Sequence, residues 1–301
     1  MTVDWLGGPV SRSRAASFRK LIASPTALAV PGAFDGMTAL LARKAGFESL
    51  YLSGAALSAS MALPDLGLLT LDDVWRRARE IVRASDLPLI VDCDTGFGEA
   101  LNVMRAVREL EEVGAACIQI EDQLFPKKCG HLNDKRLISV GDMCRKIAAA
   151  RRAADQLVIC ARTDAAGTTS LDDAIARANR YVEAGADLIF IEALTTPDHF
   201  RRVRQEVAAP LLANMTEFGR TPQTSRQQWL DYGFNVVIYP VSAFRVTSRA
   251  AQEFYASLAS TGDVSAYLPR MMPRSELYDT IQYYDYEVLD ASIARTVLDH
   301  H

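Results

Sequence analysis

The sequence has no apolar run near the ~18 residues that a membrane-spanning helix needs, so no membrane partner is expected. It has no basic excess: 33 Lys+Arg face 37 Asp+Glu, a formal net charge of -4. That balance argues against a nucleic-acid binder relying on a basic face. Cysteines are few, and no C-x-x-C pair occurs. The five, Cys93, Cys117, Cys129, Cys144 and Cys160, are odd in number. A disulfide framework is therefore not expected, and a reducing cytoplasm fits. Residues 1–20 lack the apolar core of a secretory leader, so none is expected. No linker, repeat array or low-complexity segment divides the chain. What is present is ordinary for a globular protein: 49% apolar and 23% charged residues, too apolar for disorder. Length alone would allow two domains, but a single α/β barrel commonly takes ~250 residues.

Eight short runs rich in Val, Ile and Leu stand out, at 28–30, 49–53, 88–92, 116–120, 157–161, 187–191, 210–214 and 235–239. Most are apolar throughout, as strands buried on both faces of a parallel sheet are. Helical periodicity lies between them, at 72–84, 101–113, 171–184 and 225–232. The joint from helix to strand recurs as KAGFESLY, EVGAACIQI, EAGADLIFI and DYGFNVVIY. In each, a glycine can end the helix in the left-handed conformation without a steric cost. The fold class this predicts is α/β, a (β/α)₈ TIM-type barrel over about residues 20–260. A doubly wound open sheet competes, but PGAFDG after the first run is not a G-x-G-x-x-G phosphate loop. A helical tail over about residues 270–300 completes one domain. It places Leu277, Ile281, Tyr284 and Val288 at helical spacing, while Tyr278, Tyr283 and Tyr286 add apolar surface on other faces. Packing on its own barrel is the simpler reading. Apolar groups on several faces favour docking on a neighbouring subunit.

In such barrels the chemistry sits where the strands end. Those ends carry Ser53-Gly54-Ala55, Asp92-Cys93-Asp94, Glu121-Asp122, Arg162-Thr163-Asp164, Glu192, Asn214-Met215-Thr216-Glu217 and Tyr239. Asp92 and Asp94, two apart, would face the same way on an extended strand. Like charges side by side call for a cation between them. Hard carboxylate oxygens without a nearby histidine suit Mg²⁺, with Mn²⁺ as a substitute, and Asp65 and Glu121 would complete the shell through water. Strand-end caps on loop amides are the competing reading. Cys129, flanked by Lys127, Lys128 and His131, has its thiolate favoured and could exchange a proton near neutral pH. An incidental cysteine in a solvated basic loop would look the same. Arg162 could clamp a carboxylate bidentately, or simply pair with Asp164 or Glu192.

The segments VDCDTGFG, IQIEDQLFPKK, KKCGH, CARTDA and LANMTEFG together resemble the isocitrate lyase/phosphoenolpyruvate mutase superfamily over roughly residues 20–290. KKCGH after an E-D-Q strand is specific to its lyase branch. The resemblance implies a modified barrel, a homotetramer that exchanges C-terminal helices, and a required Mg²⁺. It places Asp92 and Asp94 on metal-binding positions and Asp65 and Glu121 behind them. It places Cys129 on the catalytic cysteine, and Ser53, Gly54, Ala55, Gly130, Arg162, Glu192, Asn214, Thr216, Arg245 and Arg274 on substrate-contacting positions. Phe190 and Ile238 fall where apolar groups admit a substrate methyl. Two departures bear on substrate choice: Lys128 and Leu132 replace arginines of one familiar branch, and AALSASMA follows Ser53-Gly54.

The activity implied is a retro-aldol cleavage of a small 2-hydroxy polycarboxylate, 2-methylisocitrate to pyruvate and succinate. Cys129 would be the general acid, with His131 beside it, Arg162 would stabilise the carbanion, and Tyr51 is the candidate base. The alternatives on this scaffold are 2,3-dimethylmalate cleavage and oxaloacetate decarboxylation. A metal-free Schiff-base aldolase using Lys127 or Lys128 is the rival chemistry.

Overall fold

Eight parallel strands make the centre of the molecule. The computed structural model describes residues 6, 14–130 and 132–293. The strands are β1 (Leu28–Pro31), β2 (Leu50–Leu52), β3 (Leu89–Asp92), β4 (Cys117–Glu121), β5 (Val158–Thr163), β6 (Leu188–Ile191), β7 (Leu211–Asn214) and β8 (Val236–Tyr239). From β2 onward each pairs with the next, and β1 pairs with β8. A parallel bridge from Gly32 to Tyr51 completes the ring. Every strand lies within two residues of its sequence-based range.

The joints explain this agreement. Gly46, Gly114, Gly185 and Gly233, one in each repeated segment, all have φ between +80° and +111°, the region glycine enters freely. Helix starts are equally local. Thr70 and Asp73 form a capping box ahead of Leu71–Ser85, and Ser225 and Gln228 do the same ahead of Arg226–Asp231. Such caps satisfy amides that the first helical turn leaves unpaired.

Strand alternation then sorts the side chains. Leu89, Val91, Ile118, Ile159 and Ile189 pack outward with the helices in one apolar cluster. Ile90, Cys117, Val158, Cys160, Leu188, Phe190, Leu212, Val236 and Ile238 fill the interior, joined by Phe18 and Ile22 of the helix Arg14–Ile22. Burying each large apolar side chain stabilises the fold by about 1.5–3 kcal/mol. The interior rows end in polar groups two residues further on: Asp92 after Ile90, Glu121 after Gln119, Arg162 after Cys160, Glu192 after Phe190, Asn214 after Leu212. Period two therefore aims these side chains up the barrel axis, above an apolar floor.

Residues Arg12–Val246 form one compact unit; a second comprises Met1–Ser11 and Thr247–His301, of which residues 6 and 247–293 are described. The tail is not one helix over the described residues. It consists of Arg274–Thr280 and Tyr283–Ser292, separated where Gln282 takes φ +58°. Tyr278 and Tyr283 stack across that break, centroids 4.4 Å apart. The aromatic pair thus forms within the tail, where the sequence suggested one continuous helix with these tyrosines as added apolar surface on other faces. Residues 294–299 of the expected helix lie outside the described residues.

Candidate active site

The strand register places the rim residues. Glu121 is the register partner of Arg162 across β4 and β5, and Arg162 that of Phe190 across β5 and β6. Arg162 Nη1 lies 3.1 Å from Glu121 Oε2, and its guanidinium sits over the Phe190 ring at 5.2 Å. The same guanidinium binds Asp164 through two bonds, 3.0 and 3.1 Å, and has Glu192 Oε2 at 3.6 Å. Glu192 is held by the Ala193 amide at 2.8 Å and by Asn214 Nδ2 at 3.1 Å. Ala193 adopts φ +61° to turn that amide inward, a conformation costing an L-residue about 1–2 kcal/mol. Burial alone works against the Arg162 charge, but Asp164, Glu121 and Glu192 carry its pKa above the ordinary value. Burial would likewise raise Asp164; Arg162 and Lys135 reverse that and hold it below the usual carboxylate range.

Across the rim, Asp92 accepts from the Gly54 amide at 3.1 Å and from Gln119 Nε2 at 3.2 Å. Asp94 does not reach the same place by strand alternation. The strand ends at Asp92, and Asp94 turns with φ +47°, which aspartate tolerates better than most residues. A methyl on Gly54 would lie 3.1 Å from Asp94 Oδ1 and 3.3 Å from Asp92 Oδ2, so glycine is what lets the two carboxylates approach that amide. The Lys127 ammonium lies between Asp94, at 2.7 Å, and Asp65. Burial pushes Asp94 up to about 6, with Lys127 opposing and Asp92 adding to the shift. Burial would lower Lys127, but Asp94, Glu121 and Asp65 carry it above its usual value.

A cavity of about 50 Å³ joins the two sides. Tyr51, Ser53, Ala55, Asp65, Asp92, Cys129, Gly130, Arg162, Phe190, Glu192, Asn214, Thr216 and Ile238 all line it. Gly54, Asp94 and Glu121 stand directly behind these walls through the contacts above. A second cavity, about 550 Å³, lies between the loops after β2, β3 and β4; it reaches Asp94 but neither Cys129 nor Arg162. The smaller cavity is the one that gathers the polar strand-end residues.

Several expectations change. Arg245 does not line the cavity: it donates to the Glu217 carbonyl at 3.0 Å and covers the Phe218 ring. Arg274 opens a helix of the second unit. His131 lies outside the described residues. The Lys127 ammonium is engaged by Asp65 and Asp94, a partnership the flanking pattern did not suggest. Tyr51 donates to Gln119 Oε1 at 2.8 Å, and burial, then Asp92, raises its phenol well above the usual pKa. Tyr51 is thus a hydrogen-bond donor to Gln119 in this structure. Glu121 sides with Arg162 instead of standing wholly behind the aspartates.

Gln119 and Lys135 escaped the sequence reading, and Asp122 entered it only as one of the strand-end acids. Gln119 sits mid-strand among apolar neighbours, yet it links Tyr51 to Asp92. Asp122 accepts from Thr163 and Tyr181, both at 2.7 Å, and from the Asp164 amide at 3.1 Å. Lys135, far down the loop, reaches Asp164 at 2.8 Å. A polar residue at an inward strand position was the only available signal, and it existed for Gln119 alone.

The donor chemistry fits a hard divalent cation. Asp94 Oδ1 and Glu121 Oε1 are buried oxygens without a hydrogen bond; for Asp94 this holds although the Lys127 ammonium is close. Buried oxygens of this kind are normally satisfied. Among the described residues no three Asp, Glu, His or Cys side chains converge on one ion position as they stand, since the ammonium lies between Asp65 and Asp94.

Residues 18–259 match the family described as phosphoenolpyruvate phosphomutase. The chain is 51% identical over 284 residues to the 2-methylisocitrate lyase of Bacillus subtilis (strain 168), covering 94% of each chain. Solved 2,3-dimethylmalate lyase, a PEP mutase/isocitrate lyase superfamily member, superposes with TM-score 0.88 at 34% identity, covering 94% of this chain and 96% of that one. A phosphonopyruvate hydrolase solved with oxalate and Mg²⁺ superposes with TM-score 0.84 at 30% identity, covering 93% and 98%. The chain belongs to the phosphoenolpyruvate mutase/isocitrate lyase superfamily. Within it, this is a carbon–carbon lyase.

Proposed function

We propose that the enzyme cleaves 2-methylisocitrate to pyruvate and succinate, breaking the bond between the hydroxyl-bearing carbon and its methine neighbour. The observation that carries this reading is the single cavity shared by Cys129, Gly130, Arg162, Glu192, Asn214 and Thr216 on one side and Asp92 and Asp65 on the other. Asp92 and Asp94 would hold Mg²⁺, with Asp65 and Glu121 behind them. When bound, the ion supplies Lewis-acid stabilisation to a hydroxy-acid oxygen. The chain's own residues do the rest. Arg162, over Phe190, binds a substrate carboxylate bidentately and stabilises the enediolate left on the succinate half. Asn214 and Thr216 bind and orient that half. Cys129 delivers a proton from Sγ to the carbanion carbon. Tyr51 keeps Gln119 and, through it, Asp92 oriented. Phe190 and Ile238 bound the space for the substrate methyl. His131 and Arg274 are assigned to this site by resemblance, as is Arg245. The working enzyme is proposed to be a cytoplasmic homotetramer with exchanged C-terminal helices, without nucleic-acid or membrane partners.

Pyruvate release from 2-methylisocitrate and from 2,3-dimethylmalate, with and without Mg²⁺, tests the reading. The expected result is Mg²⁺-dependent pyruvate from the first substrate. Cys129→Ser should lower kcat by about 10²–10⁴-fold, the range of general acid catalysis, while thermal stability stays put. Faster release from 2,3-dimethylmalate would transfer the assignment to that substrate, the choice favoured by the structural similarity to its lyase.

A further inference from the structure

Lys135 is eight residues beyond Lys127 and belongs to no motif, yet its side chain is 1% exposed. Its ammonium donates to Asp164 Oδ1 at 2.8 Å and to the backbone carbonyl of Gly130. Asp164 is fully buried and simultaneously accepts two bonds from Arg162. Its position is set from behind: its amide donates to Asp122 Oδ1 at 3.1 Å, and Asp122 is fixed by the hydroxyls of Thr163 and Tyr181. One immobile carboxylate thus holds both the guanidinium facing the cavity and the lysine that grips the residue after Cys129. Gly130 closes the circuit, because a methyl there would overlap Arg162 Nη2 and the Glu192 side chain.

A lysine whose sole task was to neutralise Asp164 would not need the Gly130 carbonyl, since Arg162 already supplies a bidentate partner. We propose that Lys135 is a positioning residue that sets the distance between the Cys129 thiol and the Arg162 guanidinium. Mis-setting that distance matters, because a displacement of ~1 Å at a reacting group costs about 100-fold in rate. The inference rests on the reading of Cys129 as general acid, but its test does not need the substrate.

The test is the rate of iodoacetamide alkylation of Cys129 in the full-length protein, read by peptide mass spectrometry. Cys144, also partly exposed, serves as the internal reference, while Cys93, Cys117 and Cys160 are buried. In Lys135→Met the Cys129-to-Cys144 ratio is expected to rise about 10- to 100-fold, the factor of one charge-assisted hydrogen bond. On the substrate that proves active, kcat should fall with KM held within about threefold, as expected when an interaction made in the transition state is lost. Lys135→Gln keeps a donor for Asp164 but is too short to serve both partners; it guards against a folding failure of the first variant and should show the same rise. An unchanged ratio in whichever variant folds would overturn the proposal. A raised ratio in an enzyme inert toward 2-methylisocitrate would leave it standing and remove the substrate assignment instead.

Discussion

The two halves of the rim solve the burial of charge differently. On the Arg162 side, Glu121, Asp164 and Glu192 share a guanidinium and the Lys135 ammonium. On the Asp92 side, Asp65 and Asp94 share the Lys127 ammonium, and Asp92 leans on an amide N–H and on Gln119. Three carboxylates thus meet two cations on one side and one cation on the other. The first half is closer to balance and has bidentate geometry, so it is held rigid. The second is short of positive charge, with Lys127 as its one cation. Buried charge that is not compensated is costly. The difference teaches which half calls more strongly for a cation.

The strongest way to break this contrast is to remove Arg162. Arg162→Met leaves three buried carboxylates with one ammonium. It should cost about 3–5 kcal/mol of stability, as breaking a buried pair does, and abolish turnover. Denaturant unfolding and pyruvate release measure both; stability within 1 kcal/mol of the parent, as estimated for exposed pairs, would mean that the Arg162 side is not the balanced half.

Removing Lys127 should sharpen the contrast. Lys127→Met leaves Asp65 and Asp94 without their ammonium, so the metal-free variant should melt lower than its parent. Saturating Mg²⁺ should then raise its melting temperature more than the parent's. Occupancy at a hundredfold over Kd corresponds to about 2.7 kcal/mol. Scanning calorimetry with and without Mg²⁺ reads the difference, and equal Mg²⁺ responses would dissolve the distinction between the halves.

The smallest effect is in acid. Asp164 has a depressed pKa, so its contribution is present above the unfolded-state value of about 3.9 and is lost as pH falls through the lower folded-state value. The parent should therefore lose stability below about pH 4, by ~1.4 kcal/mol for each pKa unit of depression. In Asp164→Asn that part of the acid slope should vanish. Urea midpoints at pH 7 and pH 3 for both proteins check the sign and the window.

Much of this architecture was legible before any coordinates. Each α-to-β joint is decided by one glycine and its immediate neighbours, and each strand by a short apolar run. Local information therefore located all eight strands. The rim was legible for the same reason: inward positions alternate, so Asp92, Glu121, Arg162, Glu192 and Asn214 had to share one end once the barrel was known. Gly130 entered through the resemblance and Cys129 through its flanking lysines and histidine, since no periodicity governs a loop. The tail was misread as one helix because Gln282 carries no breaker signature, although it takes the left-handed conformation.

By itself, then, the sequence determined the element order, the apolar interior and the set of polar residues at the strand ends, because these follow from backbone periodicity and local sterics. Only the tertiary structure decided who partners whom. Lys127 reaches the aspartates, Glu121 joins Arg162, and Lys135 crosses from its loop to Asp164 and Gly130. The reason is that a buried charge is satisfied by whatever opposite charge the fold brings within about 3 Å, and distance along the chain says nothing about that distance in space.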